Sequence, residues 1–466
     1  MSREFDFMSA SELRRRIAGK EISPVEVTRR ALEKAAAGQE RLNAFSLLVP
    51  DAALAAARAA EQAVVKGHPL GLLHGIPLSV KDLIAVQGWK FEFGSRAMAG
   101  NVSAIDAPSV ERARAAGAIL IGKTTTSEFG CKPVGDSPLT GITRNPWNTD
   151  KTPGGSSAGA AASVAAGITP FALGTDGGGS IRIPCSFSGL AGLKGQFGRV
   201  PVWPVPATPT LAHVGPIART IEDAALLFAA IAGHDARDPA AVAGPVPDVL
   251  GACRASVAGL RIAYSPSLGY ARPDADVARV VGAAAAEFET LGCDVDLVEH
   301  VFDDPGDLWT SEFYAGIGTR LRDVVERQPD LLDPAVATIL TAALAQDMRG
   351  YYEKVFARYA FRDRVRTLFE RYDVLLSPVL PVASLAVGEN WPPHHAGGNP
   401  VTWVSYTYPF NLTGQPAATV CAGFGDDDMP IGLQIVGRAF GEYDVVRAAA
   451  AFERTRPAGY NIVGKR

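Results

Sequence analysis

The chain has 466 residues, a formal charge of −4, 47% hydrophobic and 20% charged residues. That balance supplies a large core, excludes disorder and lacks the concentrated basic surface that a nucleic-acid partner needs. Its 48 glycines and 33 prolines exceed ordinary shares of about 7% and 5% without a collagen-like period, so they call for a local explanation.

Residues 8–65 read as helical. Ser9 or Ser11 caps SELRRRIAG, Ser23-Pro24 opens PVEVTRRALEKAAA, and the Ala-rich DAALAAARAAEQAVV follows. The N-terminus carries no apolar secretory stretch. IPLSVKDLI (76–84) predicts a strand with Ile76, Leu78 and Val80 on one face. SVERARAA (109–116) predicts a helix, AILI (118–121) a buried strand, and 127–152 is turn-rich. The uncharged segment from Thr152 to Thr175 is dominated by small residues and interrupted by Pro153 and Pro170, so it predicts buried support rather than a membrane span. FALGTD then leads into the glycines at 177–179, and EDAALLFAAIA (222–232) is an amphipathic helix. The Pro/Ala/Asp-rich stretch 235–256 predicts a surface excursion. Beyond it come a strand (260–265), a helix (277–292), a strand (294–300), charged helices to about 370, and DVLLSPVLP (373–381) as a buried strand. Strands alternate with helices throughout, which is an α/β pattern with a mixed sheet. Five scattered cysteines (Cys131, Cys185, Cys253, Cys293, Cys421) form no CxxC pair, so neither a disulfide framework nor a zinc site is expected, and a reducing, cytoplasmic compartment fits.

Three motifs match without chemical support. GAILIGKT (117–124) satisfies GxxxxGK[ST], but Ala-Ile-Leu-Ile forms a strand rather than a phosphate-wrapping loop. Gly155-Ser-Ser157-Ala-Gly159 satisfies GxSxG, yet turn residues precede it where a nucleophile elbow requires a strand, and no histidine is marked as its base. His394-His395, beside Trp391, sits in a Pro/Gly loop with no carboxylate at ligand spacing, which reads as a solvated loop and no metal site.

Three further segments work together. Lys81 lies among Leu78, Val80, Leu83 and Ile84, where a poorly solvated ammonium loses its proton and becomes a base. Gly177, Gly178 and Gly179 precede Ser180 and expose bare backbone N–H groups suited to an oxyanion. With Ser156 and Ser157 in TPGGSSAGAAAS, these residues compose a nucleophilic acyl-transfer site that needs no histidine.

The stretch GGSSAG (154–159) through GTDGGGSIR (174–182) to CSFSGLAGLKGQFGRVP resembles the amidase signature family of serine hydrolases. LHGIPLSVKD (73–82), RNPWN (144–148), GPIART (215–220), DVLLSPVLP, PFNLTGQPA (409–417) and PIGLQIVG (430–437) extend the resemblance along nearly the whole chain. It implies one large α/β domain over 1–466, a mixed central sheet covered by helices on both faces, a helical portion at 1–65 and core motifs at 73–220. It implies a Lys81–Ser156–Ser180 triad, with Ser180 the nucleophile and Ser156 a bridge following a cis peptide bond. Ser157, Asp176 and Arg182 take supporting roles, and the backbone carbonyl of Cys131 lies near the leaving amine. The implied reaction converts a small-molecule amide to an acid and ammonia or an amine, with no cofactor, no membrane and no nucleic acid; a homodimer is left open. Gly177 stands where a branched residue is more usual, which predicts a looser oxyanion loop. Segments 127–140, 201–211, 305–320 and 390–408 are the expected pocket walls, with Trp203, Trp309, Phe313, Trp391 and Trp403 the aromatic candidates. Three rivals are a glutaminase subunit of a tRNA-dependent amidotransferase, a Ser-His-Asp esterase using Ser157, and a non-catalytic binding protein on the same scaffold. The segment 313–332 reproduces the glutaminase's Arg-rich segment poorly, which favours a free-standing amidase.

Overall fold

Ser9 and Ser23 start the first two helices as their side chains predict. Ser9 accepts a hydrogen bond from the Glu12 N–H at 3.1 Å, and Ser23 forms a capping box with Glu26. The computed structural model describes residues 5–395, 402–457, 459, 460 and 463. The N-terminal portion holds helices Ala10–Ala18, Pro24–Leu42 and Pro50–Val65, with a short strand that periodicity did not reveal, β1 (Phe45–Leu48), between the last two.

The remaining strands are β2 (Pro77–Lys81), β3 (Ile119–Thr124), β4 (Asp136–Ser137), β5 (Gly141–Ile142), β6 (Phe171–Asp176), β7 (Ala191–Lys194), β8 (His213–Ala218), β9 (Arg261–Tyr264), β10 (Asp294–Leu297), β11 (Val374–Pro378), β12 (Ala417–Phe424) and β13 (Pro430–Gly437). Eleven of them form one mixed sheet in the order β1-β3-β2-β6-β8-β7-β12-β13-β11-β9-β10, while β4 and β5 pair separately. The phosphate-loop look-alike is indeed strand: its 119–124 portion is β3, wholly buried.

The sheet is covered on both faces. Along β11, Val374 and Leu376 join one apolar cluster while Leu375 joins another, as side-chain alternation requires. Among the described residues, no helix is long and apolar enough to cross a membrane. All five cysteines are buried and none forms a disulfide.

The stretch 235–256 is less of an excursion than its composition predicts. The Val242 N–H donates to Gly198 O at 2.9 Å, Asp238 Oδ2 accepts from the Val202 N–H at 2.8 Å, and Arg199 Nη1 donates to Pro245 O at 3.1 Å. It braces the loop that begins at Pro201.

Parallel strands β2 and β6 are neighbours in the sheet, with Val80 opposite Leu173. Their carboxyl ends bring Lys81 and Thr175-Asp176 to one rim, the usual place for a site in an open α/β sheet. The helix Ala158–Ala165 approaches the same rim. Its small residues are steric necessities: a Cβ on Gly159 would lie 2.2 Å from Ala44 O and 2.5 Å from the Thr125 nitrogen.

Candidate active site

Lys81 ends β2 with no solvent exposure. Its Nζ lies 2.6 Å from Ser156 Oγ, 2.9 Å from Ser157 Oγ and 2.8 Å from Thr175 Oγ1. Burial pushes its pKa well below the usual 10.5, against a smaller opposing pull from the charge of Asp176. A neutral amine has two N–H donors and one lone pair, so three hydroxyls saturate it. Ser157 donates to Thr175 O at 3.2 Å and therefore accepts from Lys81, leaving the lone pair to the hydroxyl of Ser156 or Thr175. The Gly155–Ser156 peptide is cis, as the resemblance implies. No histidine contacts Ser157 among the described residues; its partners are Lys81 and Thr175, a geometry that does not fit the esterase rival.

The glycine loop follows β6 directly. Asp176, fully buried, accepts from the Gly179 N–H (2.8 Å), the Ile181 N–H (3.2 Å), Arg182 Nε (3.0 Å) and Nη2 (2.9 Å), and Asn411 Nδ2 (2.8 Å). Burial alone would raise its pKa, but the charge and hydrogen bonds of Arg182, with Lys194 and Asn411, outweigh it and hold the carboxyl well below the usual carboxylate range. Arg182 in turn uses all five N–H groups, adding Thr407 O, Gln434 Oε1 and Asn411 Oδ1 at 2.6 to 2.8 Å.

Two expectations for this loop need correction. Gly179 is not a free oxyanion donor, because its N–H is engaged by Asp176 Oδ1. Among the described residues, the N–H groups of Gly177, Gly178 and Ser180 meet no protein acceptor. Nor is the loop slack for want of a side chain at Gly177. Trp309 Nε1 donates to Gly177 O (2.9 Å) and Thr407 Oγ1 to Gly178 O (2.6 Å). The rings of Trp309 and Phe313, stacked at 4.6 Å, occupy the space a side chain would take. A Cβ on Gly178 would lie 2.4 Å from Trp309 Cζ2, and one on Gly177 2.8 Å from Phe313 Cε2. Gly178→Ala is therefore expected to displace the loop or Trp309 and lower kcat by about 10²-fold, with far-UV circular dichroism unchanged and tryptophan emission shifted.

The model of the family described as Amidase matches residues 26–446. The chain belongs to the amidase signature family. It is 35% identical to an acylamidase of Rhodococcus erythropolis, over 97% of this chain and 96% of that protein. It is 34% identical to a glutamyl-tRNA(Gln) amidotransferase subunit of Moorella thermoacetica, over 97% of each. Among solved structures it superposes on a bacterial aryl acylamidase of the amidase signature family with a TM-score of 0.93 at 30% identity, covering 99% of both chains. It superposes on the peptide amidase PAM, in complex with the competitive inhibitor chymostatin, with a TM-score of 0.84 at 28% identity, covering 97% of this chain and 98% of that one. This amidase is accordingly a hydrolase of amide bonds, and its single domain with a mixed central sheet is that of its relatives.

A cavity of about 350 Å³ opens onto Ser156, Thr175, Gly177 and Ser180. Of the aromatic candidates, Trp203 and Phe313 line it. Trp309 instead backs the glycine loop, Trp403 packs on Phe187 at 6.4 Å, and Trp391 is not among the lining residues. The described part of 390–408 contributes nothing to the wall, and 396–401 lie outside the described residues. Segment 83–98 supplies walls that sequence reasoning missed, through Phe91, Phe93 and Met98. Phe93 and Phe129 hold φ of 56° and 49°, a left-handed conformation unusual for bulky residues, and their rings stack at 5.8 Å across the cavity wall.

Cys131 follows Gly130, which does line the cavity. Cys131 itself does not line it, and its carbonyl accepts from Tyr314 Oη at 2.9 Å. Cys185 is fully buried and packs against Gly192.

Three residues near the site were absent from the sequence-based set. Thr175 is the third hydroxyl on Lys81. His213 lines the cavity, and its Nδ1 faces the carbonyls of Asp176 (3.1 Å) and Leu211 (2.8 Å), so Nδ1 carries the proton. Its Nε2 then accepts from Lys194 Nζ at 3.3 Å. Burial, reinforced by Lys194, pushes the pKa of His213 well down, so the imidazole is a neutral brace for the carbonyl before the glycine loop.

Proposed function

We propose that this amidase cleaves carboxamides with Ser180 as nucleophile, Ser156 as proton bridge and Lys81 as base. The observation that carries the reading is the buried Lys81 Nζ, 2.6 Å from Ser156 Oγ, beside a glycine loop with unengaged N–H groups. Ser156 passes its proton to neutral Lys81 and takes one from Ser180 as Ser180 Oγ bonds to the carbonyl carbon. The N–H groups of Gly177, Gly178 and Ser180 are the candidates to receive the oxyanion, each such donor being worth about 3–4 kcal/mol. The C–N bond breaks as the proton returns through Ser156 to the leaving nitrogen. Water then attacks the acyl-serine, and its proton passes to Ser180 as the carboxylic acid departs.

Phe91, Phe93, Phe129, Trp203 and Phe313 make the cavity an aromatic, mainly apolar chamber, which fits an aryl or aliphatic acyl group. Two observations favour a second reading, with glutamine as the amide. The chain is similar to glutamyl-tRNA(Gln) amidotransferase subunits, and Arg320 at the cavity wall offers a cation to a substrate carboxylate.

The test combines a fluorophosphonate label with a substrate panel. The label is expected on Ser180, with product release fastest from aromatic primary amides and anilides. Failure to label catalytically active protein, or labelling of Ser157, overturns the assignment. Ammonia release confined to glutamine transfers it to the second reading.

A further inference from the structure

The two adjacent histidines that sequence alone leaves in a solvated loop have a carboxylate after all, brought from 120 residues away. Asp274 stands at the N-cap of helix Ala275–Thr290 but makes no side-chain capping bond there, although capping is the ordinary role of an aspartate in that position. Its carboxylate turns instead to the imidazoles. His394 Nε2 lies 3.0 Å from Oδ1 and 3.1 Å from Oδ2, and His395 Nε2 lies 3.6 Å from Oδ1. One ligand atom from each of the three residues falls within 4.8 Å of the others. Four ligands at about 2.0–2.1 Å from a tetrahedral ion stand about 3.3 Å apart, a spacing that the Asp274 contacts bracket.

The surroundings favour a cation. Asp274 and His394 line a surface cavity of about 420 Å³ that also holds Asp276, Glu389, Asp426 and Asp427 against the single lysine Lys151. Arg279 pairs with Asp426 at 2.6 Å and Ser384 donates to Asp427 at 2.6 Å, so part of this acidity is already compensated. The imidazole pair decides the class of ion. Two nitrogens and a carboxylate suit zinc and its divalent first-row neighbours, whereas magnesium and calcium take oxygen ligands.

We propose that Asp274, His394 and His395 form a binding site for a divalent transition-metal ion of the zinc class, completed by water. The site is structural rather than catalytic. The chain that leads to it pairs with the approach to the active site: Lys151 bridges Ala386, the Thr152 N–H donates to Leu385 O and the Val387 N–H to Asp150 O, the last two at 3.0 Å. An ion here fastens residues 386–395 to the start of helix Ala275–Thr290.

Tag-free, full-length protein titrated with CoCl2 is expected to show the visible absorption of a four-coordinate cobalt centre at one ion per chain. Calorimetry with ZnCl2 should give the same stoichiometry, with a raised melting temperature. His395→Gln and Asp274→Asn should each weaken binding by at least the roughly 10–100-fold that loss of even an outer-shell partner causes, while amide hydrolysis stays unchanged. Absence of binding overturns the proposal. So does undiminished one-to-one binding in the folded His394→Ala/His395→Ala variant, or equal displacement by MgCl2, which would mark the acidic cavity alone as the seat.

Discussion

Lys81→Met and Ser180→Ala are each expected to lower kcat by at least about 10⁴-fold, the scale on which members of a nucleophile–base unit fail together. Combining the two should lower it little further, because neither half of the unit works alone. Ser157→Ala should be milder, since Ser157 donates to Thr175 O and accepts from Lys81 without standing between base and nucleophile. Full activity in Ser180→Ala would return the chemistry to Ser157. The pH profile gives an independent reading. Only neutral Lys81 accepts a proton, and burial holds its pKa well below 10.5. kcat/KM, which reports ionisations of the free enzyme, should therefore fall on the acid side as Lys81 gains its proton and be flat long before pH reaches 10.5. A rate still climbing toward that value would show an ordinary, solvated lysine.

Arg182→Ala is expected to destabilise the protein by roughly 3–5 kcal/mol, because it strands a buried carboxylate rather than merely removing a contact. Asp176 and Arg182 are both wholly buried and joined by two parallel hydrogen bonds, Nε to Oδ2 and Nη2 to Oδ1. Arg182→Lys should rescue little of the loss: an ammonium keeps the charge but cannot reach Asp176, Asn411, Thr407 and Gln434 at once. Thermal and urea melts check both variants. The double variant Asp176→Asn/Arg182→Met should lose less than the sum of its single substitutions, as coupled partners do. Equal melting of wild type and Arg182→Ala would show that the pair contributes nothing.

The candidate site was legible partly in short, local patterns and partly in the family resemblance that paired them. Lys81 stands among apolar neighbours, and Gly177 to Gly179 announce exposed backbone before Ser180. The structure brings Lys81 Nζ to Ser156 Oγ, a contact that the resemblance implies and no local pattern dictates. What stayed hidden depends on contacts between distant segments. The occupation of the Gly179 N–H follows from the fold of Asp176 onto its own loop, and the bracing of Gly177 follows from Trp309, 132 residues away. Phe91 and Phe93 reach the cavity from a segment without regular periodicity, and Asp274 meets His394 only through tertiary packing. The strands β7, β8, β12 and β13 carry too little alternation to be read locally, because they are buried on both faces.

Arg182 joins the loop after β6 to Thr407, Asn411 and Gln434, partners 225 to 252 residues later in the chain. A polypeptide still emerging from the ribosome therefore has Lys81, Ser156 and Ser180 synthesised long before the groups that fix Asp176 and the glycine loop exist. Such a nascent chain lacks the last anchor of its glycine loop until Gln434, on β13, has been made. A truncation that removes Gln434 is accordingly expected to loosen Arg182 and the glycine loop it holds through Asp176.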